Sequence, residues 1–144
     1  MIKNFFLKAA IIIVSAIMAC NVALGQTTDY QPLTKEDVNL VLAVFDGKQP
    51  SEIINKAEIL ISSGKDDTEK GIIAYYIYDY YRNSKYMGYD EIAIYFADNY
   101  ILNNKYPLPE DVDSYGIKLF AEFNRNSLVG MPAQELVMQD PSGA

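Results

Sequence analysis

Histidine and tryptophan are absent from this chain of 144 residues, and cysteine occurs once, at Cys20. Without histidine there is no side chain whose ordinary pKa lies near neutrality, and the commonest nitrogen ligand for metals is missing. One cysteine near the start leaves the body without a thiol for disulfides, nucleophilic catalysis or zinc. Basic side chains are scarce as well. Beyond residue 25 there are 10 of them against 19 acidic ones, a net charge of −9 over 119 residues. That length suits one small domain with a modest core. That charge disfavours nucleic acid and anionic lipid as partners. No glycine-rich phosphate loop, nucleophile elbow or histidine motif occurs, and no residue signature recurs at a fixed period. Neither a cofactor nor a metal site is expected.

The long apolar run is confined to the start. Lys3 and Lys8 give a short basic beginning, and "FFLKAAIIIVSAIM" runs from Phe5 to Met18. The run is shorter than the about eighteen continuous apolar residues of a membrane span, and Lys8 interrupts it, which disfavours an uncleaved anchor. Residues 1–25 therefore read as a secretory signal. Two cleavage readings stand open. Small residues at Ala23 and Gly25 place a mature start at Gln26. Alternatively, Ile17-Met18-Ala19-Cys20 resembles a lipobox, although Met18 sits where a small residue is usual. Cys20 would then be lipidated and would be the chain's one route to a membrane. Either way the expected location is the periplasm or cell envelope.

After a polar linker at 26–33, hydrophobic spacing predicts an all-α body of about five short antiparallel helices over 34–126. Thr34 and Asp37 look like a capping box, ahead of a face of Val38, Val41, Leu42 and Phe45. Gly47 and Pro50 separate this helix from a second, capped by Ser51, with Ile53 or Ile54, Ala57, Leu60 and Ile61 inward. Asp66, Asp67 and Thr68 open a third. Its segment "GIIAYYIYDYY", 71–81, is apolar nearly all round and so predicts a central helix, with Ile73, Tyr76, Ile77 and Tyr80 as its strongest stripe. Asp90 is the expected cap of a fourth helix, on which Ile92, Tyr95, Phe96, Asn99 and Tyr100 share a face. Pro109, Glu110 and Asp111 suit the first turn of a fifth. Its expected inner face is Val112, Tyr115, Leu119, Phe120 and Phe123, with Gly116 admitting a close neighbour helix.

Eleven of the 12 tyrosines fall between Tyr75 and Tyr115. They could form a ligand- or glycan-binding platform. The plainer account is that each buries a ring while its hydroxyl reaches the wet surface. A glycan platform would require Tyr75, Tyr78, Tyr81, Tyr86 and Tyr95 to form one exposed patch. Paired acids could in principle cleave a sugar, and Asp79 with Asp90 or Glu91, or Asp98 with Glu122, are candidates. On so acidic a surface, solvated carboxylates are the simpler expectation, and no catalytic residue is assigned.

The stretch "AEFNRNSLVGMPAQELVMQDPSG", 121–143, resembles the junction that opens the catalytic domain of exported TlpA-like, thioredoxin-family proteins of the Bacteroides group. Gly130, Ala133, Leu136, Met138, Asp140 and Gly143 match the family's "G-x-x-A-x-x-L/F-x-L-x-D-x-x-G" pattern. "YMGYDEIAIYFADNYI", 86–101, looks like the helical domain of unknown function that precedes it. The resemblance implies a linker, first strand and first turn over 127–144, belonging to an incomplete thioredoxin-like domain. Asp140-Pro141-Ser142-Gly143 also suits a type I turn on its own chemistry. In the family the redox reaction belongs to a C-x-x-C pair beyond that turn. No such pair is in this sequence. The expectation is therefore a non-catalytic helical accessory module, positioning or binding a thioredoxin-like domain or another envelope protein.

Overall fold

The computed structural model describes residues 30–128 and 130–132. Cys20 and the junction residues Ala133, Leu136, Met138, Asp140 and Gly143 lie outside the described residues; Gly130 lies within them. The described part is all-α, as the spacing predicts. Its helices are α1 (Lys35–Ala43), α2 (Pro50–Ser62), α3 (Asp67–Arg82), α4 (Asp90–Phe96) and α5 (Ser114–Arg125), and a π-helical segment, Ala97–Ile101, continues α4. Among the described residues no helix is long and apolar enough to cross a membrane.

Short polar side chains start three of these helices. At α1 the Asp37 amide donates to the Thr34 hydroxyl at 3.2 Å, and the Thr34 amide donates to the Asp37 carboxylate at 3.1 Å. That reciprocal pair is the expected capping box, with Asp in place of Glu or Gln. The Thr34 hydroxyl and then its amide hold the Asp37 carboxyl below its ordinary pKa. At α3 the Asp66 carboxylate accepts from the Glu69 amide at 2.9 Å. Glu69 itself is buried, and its carboxylate accepts from the Lys65 amide at 2.7 Å and the Leu33 amide at 3.3 Å. At α5 Asp113 accepts from the Gly116 amide at 3.0 Å.

Three expected starts shift. Ser51 is not a cap, because α2 begins two residues earlier than such a cap implies, with Pro50 in its first turn and Gln49 as an N-cap without a side-chain bond. Proline's fixed φ suits that position and its missing N–H is not needed there. Asp90 lies inside the first turn of α4, and Tyr89 takes the cap position. Pro109 to Asp111 form a turn ahead of α5, closed by the Val112 amide donating to the Pro109 carbonyl at 3.1 Å.

The central element is α3, which packs against α1, α2, α4 and the π segment. Its buried stripe is Ile73, Ala74, Ile77, Tyr78 and Tyr81. The expected Tyr76 and Tyr80 stand half-buried at its edge. The Tyr80 hydroxyl explains its own position, since it donates to Asp46 at 3.1 Å and so keeps the ring's polar end at the rim. The partners of this stripe are Val38 and Leu42 of α1, Ile53, Ala57 and Ile61 of α2, and Ile92, Ala93 and Phe96 of α4. Close approach occurs at Gly71 of α3, where a Cβ would strike the Pro107 carbonyl oxygen of the link before α5. Gly116 has a different role from the one expected. A Cβ there would meet the Asp113 carboxylate, so it makes room for its own helix cap rather than for a neighbour helix.

The π segment changes the face of the fourth helix. The Leu102 amide donates to the Ala97 carbonyl, five residues back, at 2.8 Å. Ile92, Phe96 and Tyr100 are buried as expected, but Ala93, Ile94, Ala97 and Ile101 join them, and Asn99 is exposed. Residues five apart on an α-helix point about 140° away from each other. The wider π turn brings the Tyr95 and Tyr100 hydroxyls to the same oxygen of Glu58 on α2, at 2.7 and 2.9 Å.

Tyr89 fixes the loop between α1 and α2. Its ring is buried, and its hydroxyl accepts from the Gly47 amide at 2.7 Å and donates to the Lys48 carbonyl at 3.0 Å. Gly47 has φ of +82°, a conformation that suits glycine. Tyr89→Phe keeps the ring but leaves both backbone groups without this partner. It is expected to lower stability by about 1–3 kcal/mol, read as a lower urea midpoint at constant m value. An unchanged midpoint would mean that water replaces the hydroxyl without cost.

Candidate functional site

The tyrosines do not make a platform. Tyr78 and Tyr81 are buried, Tyr75 and Tyr95 are half-buried, and Tyr86 is 38% exposed. The hydroxyls of Tyr80, Tyr89, Tyr95 and Tyr100 are taken up by the tethers described above. The expected bridge from core to surface does not hold for Tyr78 and Tyr81, whose hydroxyls are buried with their rings.

The candidate acids are engaged elsewhere. Asp79 pairs with Lys35 of α1 at 2.7 Å. Asp98 receives Arg125 on both its oxygens, at 2.8 and 3.0 Å, which ties α5 to the π segment. Glu122 lies 3.8 Å from Lys118 one turn back on α5. Asp90 and Glu91 occupy the first turn of α4, where carboxylates favour the positive helix end. Among the described residues no group of three or more acidic, histidine or cysteine side chains is placed to hold a metal.

Two features remain. The first is the outer face of α5. The expected inner face is corrected here: Ile117 and Ala121 are the buried residues of this helix, and Val112, Leu119 and Phe120 are only half-buried. Tyr115 is 69% exposed and Phe123 is 77% exposed. The helix packs mainly on α4 and the π segment, and its Phe120 also meets Tyr78 of α3 edge-on at 5.8 Å and lies under Arg82 of α3 at 5.3 Å. Tyr115, Leu119 and Phe123 recur at four-residue spacing and form a stripe toward the open side. Met131, shortly after the helix, is 50% exposed. Leu40 of α1 and Val44 at its C-cap form a smaller exposed pair at the same spacing.

The second is a polar cleft of about 360 Å³ between α1, the C-terminal end of α3 and the loop that follows. Lys35 and Asn39 contribute from α1, Asp46 from the turn after it, Asp79 and Tyr80 from α3, and Lys85 from the loop. Tyr86 separates this cleft from a smaller one of about 260 Å³ beside Lys48, Met87 and Tyr89. Two residues that line the larger cleft carry a buried oxygen without a hydrogen-bond partner, Asn39 Oδ1 and Asp46 Oδ1. Sequence spacing missed this site because its residues come from four separate segments and share no motif.

No protein-family model, no curated protein and no solved structure matches the chain.

Proposed function

We propose that this protein is a non-catalytic helical module of an exported, thioredoxin-like protein, and that the outer face of α5 holds the redox domain. The observation that carries this reading is the stripe of Tyr115, Leu119 and Phe123, in which both aromatic side chains are exposed and Leu119 is half-buried. Exposed aromatic side chains in a row at helical spacing are a common mark of a docking surface. The helix that bears them leads directly into 127–144, the stretch that resembles the opening of a TlpA-like domain. A domain beginning there would lie close to this face. The paired carboxylates at Asp79 and Asp98 are committed to Lys35 and Arg125, which favours a positioning role over hydrolysis.

Titrating the isotope-labelled protein with a purified TlpA-like thioredoxin domain tests the reading by NMR. Amide shifts are expected to centre on Tyr115, Leu119 and Phe123. Burying an aromatic side chain contributes about 1.5–3 kcal/mol, so Tyr115→Ser with Phe123→Ser should weaken binding at least about tenfold. The melting temperature should barely change, because both rings are largely exposed already. Shifts centred elsewhere, or equal affinity in the double variant, would reject α5 as the docking face.

A further inference from the structure

We propose that the polar cleft beside Asp46 binds a small zwitterion with a protonated primary amine and a carboxylate, of the amino-acid type. Two of its lining residues carry buried acceptors. A buried oxygen without a donor is costly, and more so when it belongs to a carboxylate. Asp46 Oδ2 is satisfied by the Tyr80 hydroxyl at 3.1 Å, whereas Asp46 Oδ1 and Asn39 Oδ1 have no partner. Both residues line the same cleft. An ammonium group brings up to three donors and a positive charge, which suits one carboxylate oxygen and one amide oxygen together.

The remaining charges select the other end of the ligand. Lys35 and Asp79 neutralise each other at 2.7 Å. That leaves Asp46 and Lys85 as the lining charges outside that ion pair. Among the described residues no carboxylate lies within ion-pairing distance of Lys85; its ammonium sits 5.8 Å from the centre of the Tyr86 ring. Lys85 is exposed, at the rim, while the orphan oxygens are buried. One negative and one positive group, at different depths, complement a zwitterion better than a simple cation, an anion or a neutral sugar. The cleft volume of about 360 Å³ accommodates a molecule of that size. This inference does not depend on α5 and stands or falls separately from the docking reading.

The test is an NMR titration of the protein with glycine, and in parallel with methylammonium, acetate and glucose. Glycine is expected to saturate shifts at Asn39, Asp46 and Lys85, methylammonium to do so at least about threefold more weakly, and acetate and glucose to give none that saturate. Asp46→Asn retains an acceptor for Tyr80 and should weaken glycine at least about tenfold, with circular dichroism confirming the fold. Lys85→Gln, at an exposed position, should reduce glycine to the affinity of methylammonium. Saturation by glucose at the same residues overturns the proposal. So does unchanged glycine binding in Asp46→Asn, or a lack of saturable binding by glycine and methylammonium, which would leave water as the donor to both oxygens.

Discussion

Raising the pH from about 9 to about 12 is expected to unfold this domain cooperatively, with the tyrosines as the cause. Burial is the main reason the Tyr78, Tyr81 and Tyr100 phenols lie above their ordinary pKa, aided by neighbouring phenols and by Asp46 at Tyr81 and Glu58 at Tyr100; the Arg82 charge partly opposes it at Tyr78. Tyr95 is raised first by its hydrogen bond to Glu58 and then by burial. Tyr80 is pushed up to about 12 by burial and by its bond to Asp46. The sign follows from where the proton is held more tightly. An unfolded tyrosine ionises near pH 10, and these folded ones ionise higher. Their contribution is complete below about pH 10 and is lost as pH rises toward the folded values. Each such group subtracts about 1.4 kcal/mol per pH unit between its unfolded and folded values, so the two most strongly raised, Tyr81 and Tyr100, together remove about 3 kcal/mol per unit. A small domain holds about 5–15 kcal/mol in total. Absorbance at 295 nm and circular dichroism, followed together, check the expectation. Tyrosinate from these residues should appear with the loss of helix. A full tyrosine titration centred near pH 10 with the helix signal intact would refute it.

The second large effect is expected at Gly71. Gly71→Ala adds one methyl group in mid-helix, where alanine is ordinarily favoured by about 1 kcal/mol. Here the added carbon would overlap the Pro107 carbonyl oxygen, which is backbone and cannot rotate aside. Relief requires the link between the π segment and α5 to move, and with it Tyr106 and Leu108, which pack on the core. The net result is expected to be a loss on the order of 3 kcal/mol, at the upper end for overpacking. A urea titration reads it directly. Gly47→Ala makes a useful comparison, because that glycine has open space around it and only its positive φ resists substitution. If Gly71→Ala were as stable as the parent chain, the tight approach of the link to α3 would not be part of the folded state.

Much of the helical framework was legible from local chemistry. Thr34 and Asp37 form their box because both partners lie within one turn of each other. Asp66 caps for the same reason. Val38, Leu42, Ile53, Ala57 and Ile61 are buried where their spacing places them, since a four-residue repeat fixes which side chains share a face. The central place of α3 could be read from its lack of a polar side. The starts of α2, α4 and α5 were less legible. Several residues near each start favour a first turn, so the local energy changes little as the start slips among them, and packing decides where the helix begins.

Sequence alone thus determined the helical class, the chain's acidic character, and the missing thiol and imidazole side chains of its body. Tertiary structure decided the rest. Whether the stripe on α5 faces inward depends on which side of that helix its neighbours occupy: Ile117 and Ala121 are buried, while Tyr115 and Phe123 stay exposed. Whether Tyr95 and Tyr100 meet one carboxylate depends on a π turn and on Glu58 from another helix. Whether Asn39, Asp46 and Lys85 share a cleft depends on the packing of α1 against α3. Each of these is a relation between residues far apart in the chain. Short-range spacing encodes faces and caps, but the groups that meet across the fold are selected by packing and by the need to satisfy buried polar atoms.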